Sequence, residues 1–400
     1  MDSVSLDKVY QAAYILKDVA RKTDMIYAPK LSNEAEIYLK TENLQVTGSF
    51  KVRGAYYKIS QLTEEERNAG IIACSAGNHA QGVALAASKM GIKATICMPD
   101  GAPISKVEAT RALGAEICLV PHTYDDAHDK AVQMQHETGA TFIHPYDDQE
   151  VIEGQATIGL ELFEQLPDLD AVLVPIGGGG LIAGVAYVIK RLKPSVKVYG
   201  VQAEKAPSMA ESFKRKQIIS VDRVATFADG IAVKTPGDLT FDLICKYVDD
   251  VVTVSEGEIA AAILALMERQ KLVAEGAGAV GVAAAMFNKV PIKGKKAVCI
   301  VSGGNIDVNI MTRVITRGLV TDGRMCTLQF SLDDKPGQLA GISRIISECG
   351  ANVTSVLHER SDESMAIASC YLKIGMETRD FEQIKQIRQA LTEAGYNIIN

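Results

Sequence analysis

No Cys-x-x-Cys pair occurs among the 8 cysteines, which lie scattered along the chain with several inside apolar, strand-like runs. That excludes a disulfide framework or a zinc site and reads as reduced, buried thiols in a cytoplasmic protein. The 6 histidines show neither ligand spacing nor a Ser/His/Asp ordering, so no metal is expected. Positive charge is not in surplus either. A net charge of −7 argues against nucleic acid or an anionic membrane as the main partner. The first residues lack an apolar secretion core, and no signal peptide is expected. The uncharged stretch at residues 171–189 carries Pro175 and four consecutive glycines in its middle. Those would break a helix in lipid, so a strand, a turn and a helix explain the run better. Low-complexity segments and internal repeats are also absent.

What is present suits two or three domains: 400 residues, 47% hydrophobic and 23% charged. Residues 5–22 have apolar positions at helical spacing, and residues 35–40 resemble a short strand. A beat of apolar run, turn and helical run follows, with strands expected at Ile71–Cys74, Ala94–Met98, Ile117–Val120, Thr141–Ile143, Ala171–Ile176 and Val196–Val201. Such runs mark parallel strands covered on both faces. Gly91, Gly114 and Gly139 stand where helices should stop. A last strand, Ala297–Val301, runs into Ser302-Gly303-Gly304-Asn305.

The character changes near residue 320. Strands are expected at Cys326–Leu332, Asn352–His358, Met365–Ile374 and Tyr396–Ile399, with a polar turn around Asp362 and two helices between them. Pro336 suits the first turn of the first helix and Gly350 its stop. The order is βαββαβ, a second domain of about 75 residues. Its boundary is expected at Gly318–Arg324.

Four stretches could carry chemistry. Thr47-Gly48-Ser49-Phe50-Lys51-Val52-Arg53-Gly54 sets a lysine between Phe50 and Val52. An ordinary lysine is a solvated charge, whereas a desolvated one is a neutral, nucleophilic amine. Gly177-Gly178-Gly179-Gly180 follows an apolar run and opens a helical one. Glycines let backbone N–H groups approach a phosphate, and the helix start adds its positive end. A tight turn is the bland alternative, but it needs one or two glycines. Ser75-Ala76-Gly77-Asn78-His79 offers a second helix start, suited to a carboxylate. His79 reads more readily as a capping or buried histidine than as a ligand, and Asn78 is the better contact. The turn at Ser302 is either a mere strand-to-helix connection or a source of a hydroxyl for a pyridine nitrogen. A nucleophilic amine with two anion-ready helix starts suits an aldehyde cofactor bearing a phosphate, pyridoxal 5'-phosphate. All three Gly-rich turns lie at carboxyl ends of strands, where open α/β sheets bind ligands.

These motifs, in this order and spacing, resemble the threonine ammonia-lyases of the tryptophan-synthase-β-like pyridoxal-phosphate fold. The resemblance covers residues 1 to about 320. It implies fold type II, a two-lobed α/β catalytic domain over 1–320 with a small lobe at roughly 54–150 inserted in the larger. The stretch Asp334-Lys335-Pro336-Gly337-Gln338-Leu339 resembles an ACT domain, with a ferredoxin-like βαββαβ fold over 325–400. By resemblance Lys51 would form the Schiff base and Phe50 would flank the cofactor. Asn78 would contact its phenolic oxygen, Gly177, Gly178, Gly179, Gly180 and Leu181 would hold its phosphate, and Ser302 would face its pyridine nitrogen. Ser75, Ala76, Gly77, Asn78 and His79 would hold the substrate carboxylate. Gly337, Gln338, Leu339 and Asn352 are candidate effector contacts.

The implied reaction is elimination from L-threonine to 2-oxobutanoate and ammonia, with serine giving pyruvate. A homotetramer or dimer is expected. Isoleucine inhibition with valine antagonism is the scheme a biosynthetic enzyme would use. Related serine racemases have a serine at the position of Ala76, so elimination with little racemisation is expected. They also bind a divalent cation at acidic positions that here are Gln202 and Ser208, and Glu204 is expected to be solvated. Competing readings are a serine dehydratase, a cysteine synthase relative, a racemase, or a non-catalytic amino-acid sensor.

Overall fold

Almost every apolar run becomes a strand, and the runs sort into three sheets. The computed structural model describes residues 4–360 and 368–399. The chain divides into two compact units, Met1–Met311 and Thr312–Asn400. The division falls before Gly318–Arg324, inside the helix Val308–Thr321, which runs across the expected boundary.

The first unit holds two sheets. The larger has six strands in the order Met25–Tyr27, Glu36–Lys40, Lys296–Ile300, Ala171–Pro175, Lys197–Ala203 and Asp250–Val254. All are parallel except the first, which runs antiparallel to its neighbour. Lys296–Ile300, the last of these in the chain, lies in the middle of the sheet. Chain order therefore reverses beside it, and the crevice of an open α/β sheet forms at such a point. The strands Met25–Tyr27 and Asp250–Val254 escaped the sequence reading. Both are edge strands, the first only 3 residues long and the second largely half-buried, so neither shows a strong apolar run.

The smaller sheet is parallel throughout, in the order Glu116–Val120, Ala94–Pro99, Ile71–Cys74 and Thr141–Phe142. It falls in sequence between the first and second parallel strands of the larger sheet, counted along the chain, Glu36–Lys40 and Ala171–Pro175. Helix Gln149–Gln165 packs against both Lys51–Ser60 and Gly180–Leu192. Gly91 and Gly139 end their helices in the left-handed conformation, and Gly114 follows its helix at φ +95°. The N-terminal helix is shorter than its periodicity suggests, Leu6–Leu16. The uncharged stretch at 171–189 breaks after Pro175 into a strand and a helix, and among the described residues no helix is long and apolar enough to cross a membrane. All 8 cysteines are unpaired, but only Cys74, Cys97, Cys299 and Cys370 are buried.

The second unit is a four-stranded antiparallel sheet, ordered Asn352–Glu359, Ser369–Glu377, Met325–Asp333 and Asn397–Ile398. With helices Gln338–Glu348 and Phe381–Glu393 this is the ferredoxin-like βαββαβ order. Its core includes Leu328, Phe330, Ile342, Ile346, Ile374 and Ile387. Two expectations change. Pro336 lies in a turn before the helix, because Gly337 adopts φ +95° and caps it, so helical geometry begins only at Gln338. The strand expected at Met365–Ile374 starts at Ser369; residues 365–367 and the turn around Asp362 lie outside the described residues.

Candidate active site

Lys51 is the first residue of helix Lys51–Ser60. The segment before it is laced to the turn after the central strand. Phe50 N donates to Ser302 O at 3.1 Å and Gly304 N to Gly48 O at 2.9 Å, around an antiparallel bridge between Ser49 and Gly303. The helix itself is anchored two residues on. Arg53, 1% exposed, donates to Glu42 at 2.8 and 2.9 Å and to Glu161 at 2.6 and 3.1 Å. The two carboxylates raise the guanidinium further above its ordinary range despite burial, and Arg53 holds the Glu42 carboxyl below its own. Lys40 joins the same cluster through Glu161 and Thr23 O. Nothing local in the sequence marked this network, since Glu161 lies 108 positions from Arg53.

The Lys51 amine donates to Pro145 O at 2.6 Å. Burial lowers its pKa to about 8, with the Glu275 carboxylate opposing the shift. The carbonyl that receives it is itself positioned nearby. His79 Nε2 lies 2.8 Å from Ile143 O, and burial depresses the ring pKa to about 3, so the neutral imidazole donates. His79 is thus the buried histidine that its context suggested, pinning the segment that meets Lys51.

The four glycines connect strand Ala171–Pro175 to helix Gly180–Leu192. Two show why a shorter set would fail. A Cβ on Gly178 would lie 2.4 Å from three ring atoms of Tyr146, and Gly179 adopts φ +103° with Thr240 Cβ 2.8 Å from its own Cβ position. Thr240 Oγ1 fixes the loop by donating to Gly178 O at 2.6 Å. The first amides of the following helix have no intrahelical acceptor. A phosphate is what such a bend accepts.

Asn78 opens helix Asn78–Met90, capped by Gly77 after strand Ile71–Cys74. Its Nδ2 donates to Glu275 Oε1 at 2.6 Å, and its Oδ1 accepts from Asn305 Nδ2 at 2.7 Å. Glu275, 4% exposed, was missed by sequence reasoning. Burial, then the Asp229 carboxylate, raise its pKa to about 7. The only signal available was a lone acid before a run of glycine and alanine.

One cavity of about 870 Å³ gathers these stretches. Phe50, Lys51, Ser75, Ala76, Gly77, Asn78, His79, Gly177, Gly178, Gly179, Gly180, Leu181 and Ser302 all line it, together with Tyr146 and Glu275. Lys106 pairs with Asp229, and Lys234 with Asp125, at its wall. A nucleophilic amine, a glycine cradle at a helix start and a serine hydroxyl thus share one space, and this is the donor set pyridoxal phosphate requires. A family of pyridoxal-phosphate-dependent enzymes matches residues 16–303.

The chain belongs to that family. Over 397 residues, 99% of each chain, it is 51% identical to an L-threonine ammonia-lyase of Thermotoga maritima. Its fold is similar to the processed threonine deaminase isoform 2 of Solanum lycopersicum, with TM-score 0.74 and 39% identity over 79% of this chain and 90% of that one. It is also similar to maize serine racemase, with TM-score 0.75 and 34% identity over 80% of this chain and 98% of that one.

The side chains of Gln202 and Ser208 are engaged in backbone contacts. Gln202 donates to Ile176 O and accepts from Ala210 N, and Ser208 donates to Val233 O. Glu204 is exposed. In the second unit, a cavity of about 320 Å³ is lined by Gly337, Gln338 and Leu339. Asn352 does not join them, because its amide donates to Glu377 at 3.1 Å, across the neighbouring strand. His358, without ligand spacing in sequence, meets Asp334 and Cys370 beside this cavity, where Arg360 already pairs with Asp334 at 3.0 Å.

Proposed function

We propose that this chain is an L-threonine ammonia-lyase, releasing 2-oxobutanoate and ammonia, with serine as a weaker substrate giving pyruvate. The observation that carries the reading is the meeting of Lys51, the Gly177–Gly180 bend and Ser302 around one cavity in a chain half identical to such a lyase. Bound pyridoxal phosphate supplies the electron sink that makes the α-proton acidic. The protein does the rest. Lys51 Nζ, its pKa lowered toward neutrality, holds the cofactor and takes the α-proton. Amides of Gly177–Leu181 hold the phosphate, and those at the start of helix Asn78–Met90 hold the substrate carboxylate. Ser302 would offer the ring nitrogen a neutral hydroxyl, which would make the sink weaker than one opposed by a carboxylate and favour elimination over transamination.

Ala76 supports elimination over racemisation, because a methyl group carries no proton to the opposite face. In the second unit, the ferredoxin-like fold and the cavity at Gly337–Leu339 support an ACT domain that binds an amino-acid effector, isoleucine if the enzyme is biosynthetic. The test is a keto-acid assay with threonine, serine and O-acetylserine, repeated with isoleucine. Turnover of O-acetylserine with sulfide, and none of threonine, would overturn the assignment.

A further inference from the structure

Asn78 is held from both ends. Its Nδ2 donates to Glu275 Oε1 at 2.6 Å, while its Oδ1 accepts from Asn305 Nδ2 at 2.7 Å. Asn305 Nδ2 also donates to Thr47 O at 2.8 Å, so both its hydrogens are committed and it can only donate. A carboxylate, in turn, can only accept. The two partners therefore choose one of the two orientations of the Asn78 amide, and one Nδ2 hydrogen remains free. This chain of hydrogen bonds ties together the Lys51 segment, the Ser75–His79 turn and the Ser302 turn.

Glu275 is not there to cap its own helix. It stands at the N-cap of Gly276–Met286, yet its side chain makes no capping bond. It is seated instead against the Ser302 turn, where its N–H donates to Gly303 O at 3.1 Å. A Cβ at position 303 would come within 2.4 Å of its Oε1. A carboxylate buried to this degree is costly unless hydrogen-bonded, and Asn78 supplies the bond.

We propose that Glu275 is a positioning residue that fixes the Asn78 amide with its nitrogen toward the cofactor's phenolic oxygen. This rests on the reading of Lys51 and Asn78 as cofactor contacts. The groups facing Glu275 are Asp229, Lys106 and Lys51, and its pKa of about 7 places the change from acceptor-only carboxylate to an acid that can also donate within reach of experiment. Above that value the carboxylate accepts from Asn78. Below it the acid can donate, and the choice of orientation is lost.

The full-length apoenzyme is titrated with pyridoxal 5'-phosphate while the visible band is followed from about pH 6 to 8, for the wild type and Glu275→Gln. The variant is expected to bind the cofactor about tenfold more weakly, the scale of one hydrogen bond to a charged group. The component of the pH response centred near pH 7 should disappear with it, leaving only the rise toward pH 8 set by Lys51. A folded variant that keeps either the wild-type affinity or the wild-type pH response overturns the proposal. If Glu275→Gln does not fold, Asn305→Ala decides the matter: weaker cofactor binding supports the two-ended clamp, and unchanged binding overturns it. A wild-type chain with no visible band at all would instead mean that the reading of Lys51 is wrong.

Discussion

Lys51 Nζ donates to the carbonyl oxygen of Pro145 at 2.6 Å, and that carbonyl lies two residues beyond the one held by His79. The nucleophile is thus set by a short run of backbone that a buried, neutral histidine keeps in place. Burial lowers the lysine pKa from its ordinary value to about 8. A lowered lysine pKa means the neutral amine becomes available at lower pH. The rate at which the apoenzyme captures pyridoxal 5'-phosphate should therefore rise with pH and level off above about pH 8, as followed by stopped-flow absorbance. Lys51→Ala should lose threonine turnover by about a thousandfold or more and show no mass increase after borohydride reduction.

Arg53 makes a structural prediction. Replacing it with Met leaves Glu42 buried without its partner, a change that costs about 3–5 kcal/mol for pairs of this kind. The sign of its pH dependence follows from the pairing. Arg53 holds the Glu42 carboxyl below its ordinary range, so the wild-type contribution is present above that range and fades as pH falls through the depressed value. In the variant the unpaired carboxyl is instead relieved by protonation. The deficit measured by chemical denaturation should be largest near neutrality and shrink toward acid pH.

Gly178 faces the ring of Tyr146 at a distance no side chain could share. Gly178→Ala should push the ring or the loop aside and weaken cofactor binding by about tenfold or more, with a gain in off-rotamer strain. Adding Tyr146→Ala should recover part of the affinity. Equilibrium titration of the apoenzyme with pyridoxal 5'-phosphate reads both.

Ala76 lines the cavity where a serine would offer a second proton carrier. Chiral chromatography of a serine reaction should show pyruvate with little D-serine for the wild type. Ala76→Ser should raise the D-serine fraction measurably while pyruvate formation continues. Rapid D-serine formation by the wild type would contradict the role given to this alanine.

Much of this protein was written in local pattern. Runs such as Ile71–Cys74 and Ala171–Pro175 are apolar almost throughout because a parallel strand is covered on both faces, and that leaves a mark within a few residues. The glycine bends after them are equally local, since the backbone there must turn and approach a ligand. Lys51, Asn78, the four glycines and Ser302 were singled out this way, and they line one cavity. Edge strands such as Asp250–Val254 were not, because half-burial blurs the pattern. What tertiary structure alone decided are the partners. Asn78 and Glu275 stand 197 positions apart, and Asn78 and Asn305 stand 227 apart. Whether an acid before a helix caps it, meets water or accepts from a distant amide depends on which strand ends the fold brings together. Periodicity records burial, but it carries no information about which two buried polar groups will meet.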